Sequence, residues 1–89
     1  RIAAWDALLR ARAIENQCVV AGVNRVGKDN RGLHYNGHSA LYNPLGEAVI
    51  EPWESEDVRT MTVSLDEVRR VRTELPFLAE ADAFRLDEA

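Results

Sequence analysis

The residues best suited to nucleophilic chemistry are one cysteine, Cys18, and two histidines, His34 and His38. A cysteine nucleophile needs a base within hydrogen-bond reach and an electropositive setting. Cys18 falls between an apolar helical pattern and an apolar strand pattern, where a free cysteine commonly serves as a small apolar residue. We therefore predict a structural role for Cys18, and each histidine is either solvated or satisfied by a neighbour. The three residues lack the spacing of a zinc site, so no metal is expected.

A second candidate site is a phosphate-binding loop, because Gly22, Gly27 and Lys28 have the glycine and lysine spacing of that motif. The motif requires Ser or Thr after the lysine to hold magnesium, and Asp29 stands there instead. It also requires a following helix whose N-terminus faces the phosphates. Residues 29–32 are typical of a turn, so the sequence argues against nucleotide binding.

Glu15 and Asn16 are polar residues at the end of an otherwise apolar helical pattern. If they are buried, they need polar partners. Arg12 lies three residues before Glu15, so an ion pair within the helix is the structural interpretation. The functional interpretation is that Glu15 and Asn16 orient a site supplied by other parts of the protein. The residues alone favour the structural interpretation.

The composition is that of a globular protein, with 46% apolar and 29% charged residues among 89. A net charge of −4 argues against nucleic-acid and acidic-membrane partners. We find neither a transmembrane run nor a signal-peptide pattern, and one cysteine fits a reducing compartment, so a cytoplasmic location is expected. The sequence starts at Arg1, inside a helical pattern, which suggests part of a longer protein.

The first half of the chain predicts one helix followed by strands. Apolar residues recur near helical spacing over residues 2–16, and the alanines between them leave little polar surface, so this helix should be buried on more than one side. Residues 19–23 predict a strand covered on both faces. A polar turn at 27–32, a strand at 38–42, a tight turn at 43–46 and a returning strand at 47–50 closed by Pro52 complete this half.

The second half begins with an acidic loop at 54–57 and a predicted strand at 58–63. Ser64 and Glu67 have the spacing of a capping box, in which each residue satisfies a backbone N–H of the other. The helix that they open presents Leu65, Val68, Val71 and Leu75, and Pro76 stops it. The tail over residues 77–89 is irregular and carries four apolar side chains that need a surface to pack on, namely Phe77, Leu78, Phe84 and Leu86.

Several segments, taken in order, resemble the late helix-and-strand unit of nitrilase-superfamily carbon–nitrogen hydrolases. They are Ala11–Gln17, Val19–Gly27, Gly37–Ser39, Asn43–Glu47, Val71–Arg72, Leu75–Pro76 and Ala81–Leu86. The Gly-Val-Asn-Arg-Val-Gly stretch and the tail are most similar to the bacterial ω-amidase branch, which hydrolyses the terminal amide of 2-oxo acid amides. His38 is a departure, since that branch often carries an acidic residue between the glycine and the serine, and this puts a role for that side chain in doubt.

The resemblance implies an α/β fold in which residues 1–89 form the C-terminal part of an αββα sandwich, with the N-terminal part of the same domain absent. It also implies a Glu-Lys-Cys catalytic set that needs neither metal nor cofactor, and subunits that pair into a homo-oligomer. None of the three catalytic motifs occurs here: Lys28, the only lysine, lies in a turn, and Cys18 lies outside a nucleophile elbow. The positions that match family motifs and could orient the site are Glu15, Asn16, Asn24 and Ser39.

Two functions are consistent with these observations. In the first, the chain is the C-terminal portion of an amidase that acts on a small carboxylate-bearing amide, and it is inactive by itself. In the second, it is a truncated, non-catalytic interaction or assembly module. The sequence upstream of Arg1 distinguishes them, because a cysteine in a strand-to-helix elbow, preceded by a lysine and a glutamate, indicates the enzyme.

Overall fold

The computed structural model describes residues 1–87, which form two helices and five short strands. In chain order these are α1 (Ile2–Asn16), β1 (Val20–Gly22), β2 (Val26–Lys28), β3 (His34–Asn36), β4 (Ser39–Tyr42), β5 (Ala48–Trp53) and α2 (Leu65–Glu74). The mixture of helix and sheet confirms the predicted α/β class. The predicted helix over residues 2–16 is confirmed at both ends.

The main sheet has three antiparallel strands in the order β1-β4-β5. Strands β4 and β5 are joined by the predicted tight turn, in which the Asn43 side chain accepts the backbone N–H groups of Leu45 and Glu47. Gly46 supplies the positive φ of 81° that this turn requires. We predicted that this strand ends before Pro52, but strand β5 continues through Pro52 to Trp53. Proline is tolerated there because β5 is an edge strand.

Helix α1 packs on one face of this sheet, and the core lies between them. Ala13, Ala40 and Tyr42 are buried, with Leu9, Val20 and Ala48 partly buried around them. The prediction that α1 is buried on more than one side is wrong for residues 1–87, since Leu8 and Ile14 are 54% and 41% exposed. Only one layer covers the helix within this part of the chain.

The strand predicted over residues 19–23 is shorter and less covered than expected. It comprises Val20–Gly22, with Gly22 buried, Ala21 exposed and Val23 82% exposed. The valine-rich composition indicated cover on both faces. Within residues 1–87, helix α1 covers one face of β1 and no second layer lies on the other.

A second antiparallel pair, β2 with β3, was not predicted as strands. The polar turn expected over residues 27–32 is shorter than predicted and occupies only the segment between β2 and β3. There the Gly32 N–H donates to the Asp29 carbonyl over 3.0 Å. The Asp29 carboxylate accepts the backbone N–H groups of Arg31 and Leu33, both over 2.9 Å. The hydrogen bond from Leu33 is the largest influence that lowers the pKa of Asp29. Asp29 thus stabilises a hairpin turn, at the position where a phosphate-binding loop requires Ser or Thr.

Helix α2 begins as the sequence predicted. The Ser64 hydroxyl accepts the backbone N–H of Glu67, which confirms the forward half of the capping box. Its buried residues are Val68 and Val71, and its last residue is Glu74, in keeping with the tendency of helices to end before the residue that precedes a proline. Hydrogen bonds join helix α2 to the C-terminal end of α1. Arg72 donates to the Gln17 carbonyl over 3.0 Å, and Gln17 Nε2 donates to the Leu75 carbonyl.

The predicted strand over residues 58–63 is wrong, because this segment has no strand conformation and every residue in it is exposed. Its alternation of β-branched residues suits a strand, yet a strand also needs a neighbour to satisfy its backbone hydrogen bonds. No strand within residues 1–87 pairs with it. The tail from residue 77 to residue 87 is irregular, as predicted, and its residues are exposed. The remainder of the predicted tail lies outside the described residues.

The described part of the chain is a flat slab rather than a compact globule. Its dimensions are 47 × 42 × 18 Å and its radius of gyration is 16.6 Å. A compact chain of this length would have a radius of gyration of about 12 Å. The slab is consistent with one layer of helix on one layer of sheet.

Candidate functional site

Asn24 and Ser39, two of the four candidate positions, are joined directly by hydrogen bonds. The backbone N–H of Asn24 donates to Ser39 Oγ over 2.9 Å, and that hydroxyl donates to the Asn24 carbonyl over 3.2 Å. The Asn24 side chain donates to the Gly37 carbonyl and accepts the backbone N–H of Arg25. Ser39 is buried, so its hydroxyl needs both contacts. The pair fixes the chain between β1 and β2 against the start of β4.

Glu15 and Asn16, the other two candidates, lie apart from this pair on the exposed last turn of α1. Glu15 accepts from Arg12 over 2.8 Å, which is the helical ion pair that the sequence suggested. Asn16 Nδ2 donates to the Arg12 carbonyl one turn earlier. No hydrogen bond within residues 1–87 connects these two residues to Asn24 or Ser39. The Asn16 carbonyl also accepts from Arg72 of α2 over 3.4 Å, so the described contacts of these two residues are those of a helix end and its neighbouring helix.

His38 makes more polar contacts than the sequence indicated. It has a left-handed φ of 60° and follows Gly37, whose φ is 77°. Its Nδ1 lies 3.0 Å from Asp6 Oδ1 in α1, and its Nε2 lies 3.0 Å from Glu54 Oε1 just after β5. Of the two alternatives for this histidine, satisfaction by neighbouring groups is the one confirmed.

Asp6 and Glu54 change the acid–base behaviour of His38. The hydrogen bond to Asp6 raises the pKa of His38 above its ordinary value of 6.5, and the desolvation that accompanies burial opposes this. The negative charge of Asp6 and the contact with Glu54 add to the rise. His38 is therefore biased towards its protonated form near neutral pH.

The structure contains a cleft of about 590 Å³ beside His38. It lies between the first turns of α1 and strand β3 with its flanking residues. Its wall includes Trp5, Asn24, Leu33, Tyr35 and His38. Aromatic and apolar surface therefore meets amide and imidazole groups in this cleft.

The remaining candidates for chemistry are not assembled into a catalytic set. Cys18 is half-buried, its backbone N–H donates to the Ala13 carbonyl, and no hydrogen bond to its thiol occurs within residues 1–87. His34 and Lys28 are exposed and pair across the β2–β3 hairpin. No group of three metal-ligating side chains occurs in the described part of the chain. No helix among residues 1–87 combines the length and apolar character needed to cross a membrane.

The sequence did not reveal that Asp6 and Glu54 converge on His38. The three residues are separated by 32 and 16 positions, so no local spacing places them together. One feature of the sequence could have drawn attention to His38, namely that it follows a glycine at the start of a predicted strand. Histidine is enriched among residues with positive φ, so this position could have been predicted to leave the strand conformation.

The carbon–nitrogen hydrolase family model matches residues 2–73. The chain is 46% identical over 83 residues to the ω-amidase YafV of Escherichia coli K12, covering 92% of this chain and 32% of that protein. It is 38% identical over 76 residues to the 2-oxoglutaramate amidase of Bacillus subtilis 168, covering 85% of this chain and 29% of that protein.

A solved structure gives the same result. The crystal structure of XC1258 from Xanthomonas campestris, a CN-hydrolase superfamily protein with an arsenic adduct in its active site, superposes with a TM-score of 0.89 at 47% identity. The superposition covers 98% of this chain and 33% of XC1258. The chain thus spans about a third of the length of the relatives that it matches. Because a matching sequence and a matching fold coincide over nearly all of its length, the chain belongs to the carbon–nitrogen hydrolase family.

Proposed function

We propose that this chain is the C-terminal portion of an amidase that hydrolyses the carbon–nitrogen bond of a small carboxylate-bearing amide, as an ω-amidase does. The observation that carries the proposal is the 46% identity to an ω-amidase along 92% of the chain. The identity to a 2-oxoglutaramate amidase, whose substrate is also a carboxylate-bearing amide, supports the same substrate class.

In this proposal the Glu-Lys-Cys set comes from residues outside the chain. The cysteine attacks the amide carbon, the glutamate acts as general base, and the lysine stabilises the oxyanion of the tetrahedral intermediate. None of these steps requires a metal or a cofactor. Cys18 and Lys28 have no part in the reaction, which agrees with the unpartnered thiol within residues 1–87 and the exposed lysine.

The contribution of this chain is to support and position the site. Asn24 and Ser39 would hold the connection between β1 and β2, which borders the cleft. Glu15 and Asn16 would help to orient the site from the end of α1, where the rest of the fold would contact this helix. The exposed apolar residues of the tail, including Phe77 and Phe84, would pack on a second subunit of a cytoplasmic homo-oligomer. The sandwich-to-sandwich pairing of the family supports this arrangement.

The test is ammonia release from glutaramate-like amides, measured for the isolated 89 residues and for the complete protein. We expect turnover only from the complete protein. Cys18→Ser in the complete protein should leave kcat within a few-fold of wild type, because the thiol is a packing group.

Two results would contradict the proposal. A loss of about a thousand-fold or more in Cys18→Ser, the scale expected for removal of a nucleophile, would make Cys18 catalytic. Absence of turnover in the complete protein, together with absence of an upstream elbow cysteine, would favour the non-catalytic assembly module.

A further inference from the structure

His38 lies between two carboxylates that come from different parts of the fold. Its Nδ1 is 3.0 Å from Asp6 Oδ1 and 3.2 Å from Asp6 Oδ2, and its Nε2 is 3.0 Å from Glu54 Oε1. A neutral imidazole donates from only one ring nitrogen and presents a lone pair at the other. In either neutral tautomer, one nitrogen lone pair would therefore face a carboxylate oxygen at hydrogen-bond distance. Only the imidazolium donates to both residues.

We propose that His38 is a positioning residue whose imidazolium form clasps α1 and the residue after β5 to the start of β4. The clasp releases when the ring loses its proton. This goes beyond the amidase function proposed above and does not depend on it. Trp5 and His38 both line the cleft, so the clasp lies in the wall of the cleft.

The backbone of His38 already ties the same elements together. Its N–H donates to the Trp53 carbonyl over 2.9 Å, and its carbonyl accepts from Trp5 Nε1 over 2.7 Å. These two bonds fix the backbone of His38 beside α1 and β5 whatever the charge of the ring. The protonation state therefore decides whether the side chain strengthens or opposes an arrangement that the backbone has set.

The charges around the ring make this effect depend on pH. Asp6 faces it from α1 and Glu54 faces it from the end of β5, so loss of the proton leaves two carboxylates without their shared cation. Arg1 and His34 line the same cleft from the start of the chain and from β3. The next acidic residues along the chain, Glu56 and Asp57, line a separate pocket with Trp53.

The sign of the effect follows from the raised pKa of His38. Its stabilisation is fully present below the ordinary histidine value of 6.5 and is lost as the pH rises through the raised pKa of the folded state.

The direct test is a nitrogen NMR titration of the complete protein labelled at its histidine rings, with His38→Asn used to assign the signals. We expect the titration midpoint of His38 to lie above the ordinary histidine value of 6.5, with imidazolium shifts at both ring nitrogens below that midpoint. Asp6→Asn and Glu54→Gln should each lower the midpoint, and the double variant should lower it further. A midpoint at or below 6.5, or a midpoint that neither variant moves, overturns the proposal.

A second readout separates the clasp from an ordinary packing role. Asparagine tolerates left-handed φ, so His38→Asn keeps the backbone conformation while removing the charge. The difference in Tm between wild type and His38→Asn should be largest near pH 5–6 and should shrink as the pH rises through the measured midpoint. A difference for His38→Asn that is constant with pH contradicts the clasp, and if His38→Asn fails to fold, the titration of Asp6→Asn decides.

Discussion

At the scale of single residues, Ser39 and Asn24 are the two candidate site residues that are hydrogen-bonded to each other. One buried hydroxyl both accepts the Asn24 N–H and donates to the Asn24 carbonyl. These two bonds take the place of the backbone–backbone hydrogen bonds of a strand pair at the point where the chain leaves β1 for β2. A polar side chain buried for this purpose is costly to remove, because its partners lose their bonds as well.

We expect Ser39→Ala to lower the free energy of unfolding of the complete protein by about 1–3 kcal/mol, because it leaves the Asn24 N–H and carbonyl without this partner. The measurement is urea or thermal unfolding. Ser55→Ala is the matched control, since Ser55 is exposed beyond β5 and its change should be within about 0.5 kcal/mol. Equal effects from the two variants would show that the Ser39 bonds contribute nothing specific.

At the scale of elements, the contact between α1 and β1 depends on a glycine. A Cβ placed on Gly22 would lie 2.3 Å from Leu9 Cδ1 and 2.8 Å from Leu9 Cδ2. Leu9 is part of the apolar cluster that surrounds Ala13 and Tyr42. The absence of a side chain at Gly22 therefore lets the helix lie close to the strand.

Gly22→Ala should destabilise the complete protein by about 1–3 kcal/mol, the usual cost of overpacking a closely packed contact. The control is Ala21→Ser, on the exposed neighbouring position of the same strand, with an expected change below about 0.5 kcal/mol. Chemical denaturation of both variants gives the comparison. A neutral Gly22→Ala would mean that Leu9 moves aside without cost and that the close approach is not required.

At the scale of the whole molecule, residues 1–87 leave much of their apolar surface uncovered. Large apolar side chains are exposed on α1, on segment 58–63 and along the tail, among them Leu8, Val58, Met61, Phe84 and Leu86. The flat 18 Å dimension offers no second layer to cover them. Exposed apolar side chains in this number are expected where another part of the protein or a partner covers them.

We expect the isolated 89 residues to be aggregated or molten, and co-expression with the proposed N-terminal part to give a soluble complex. Ordering each residue costs roughly 1.5 kcal/mol, and a core this small rarely leaves more than a few kcal/mol net. Circular dichroism and size-exclusion chromatography measure both states. A monomeric peak with a sharp cooperative melt for the 89 residues alone would establish an independent domain and contradict this expectation.

The features that depend on neighbours in the sequence could be predicted from it. The helical spacing of apolar residues and the alanines between them predicted α1 over residues 2–16. Asn43 and Gly46 predicted the turn between β4 and β5, and Ser64 predicted the start of α2. In each case the partner groups lie within a few positions along the chain, so residue type and spacing determine the outcome. The α/β class came from the resemblance to the nitrilase superfamily.

Tertiary structure decided what depends on distant partners. Residues 58–63 have a strand pattern but gain no neighbouring strand within residues 1–87, and β5 passes Pro52 because its edge position leaves the missing N–H unneeded. Asp6 and Glu54 meet His38 only after α1 and β5 have packed beside β4. Residue types state which contacts a side chain can make, but the fold selects among them, because contacts between distant residues exist only once the backbone has brought them together.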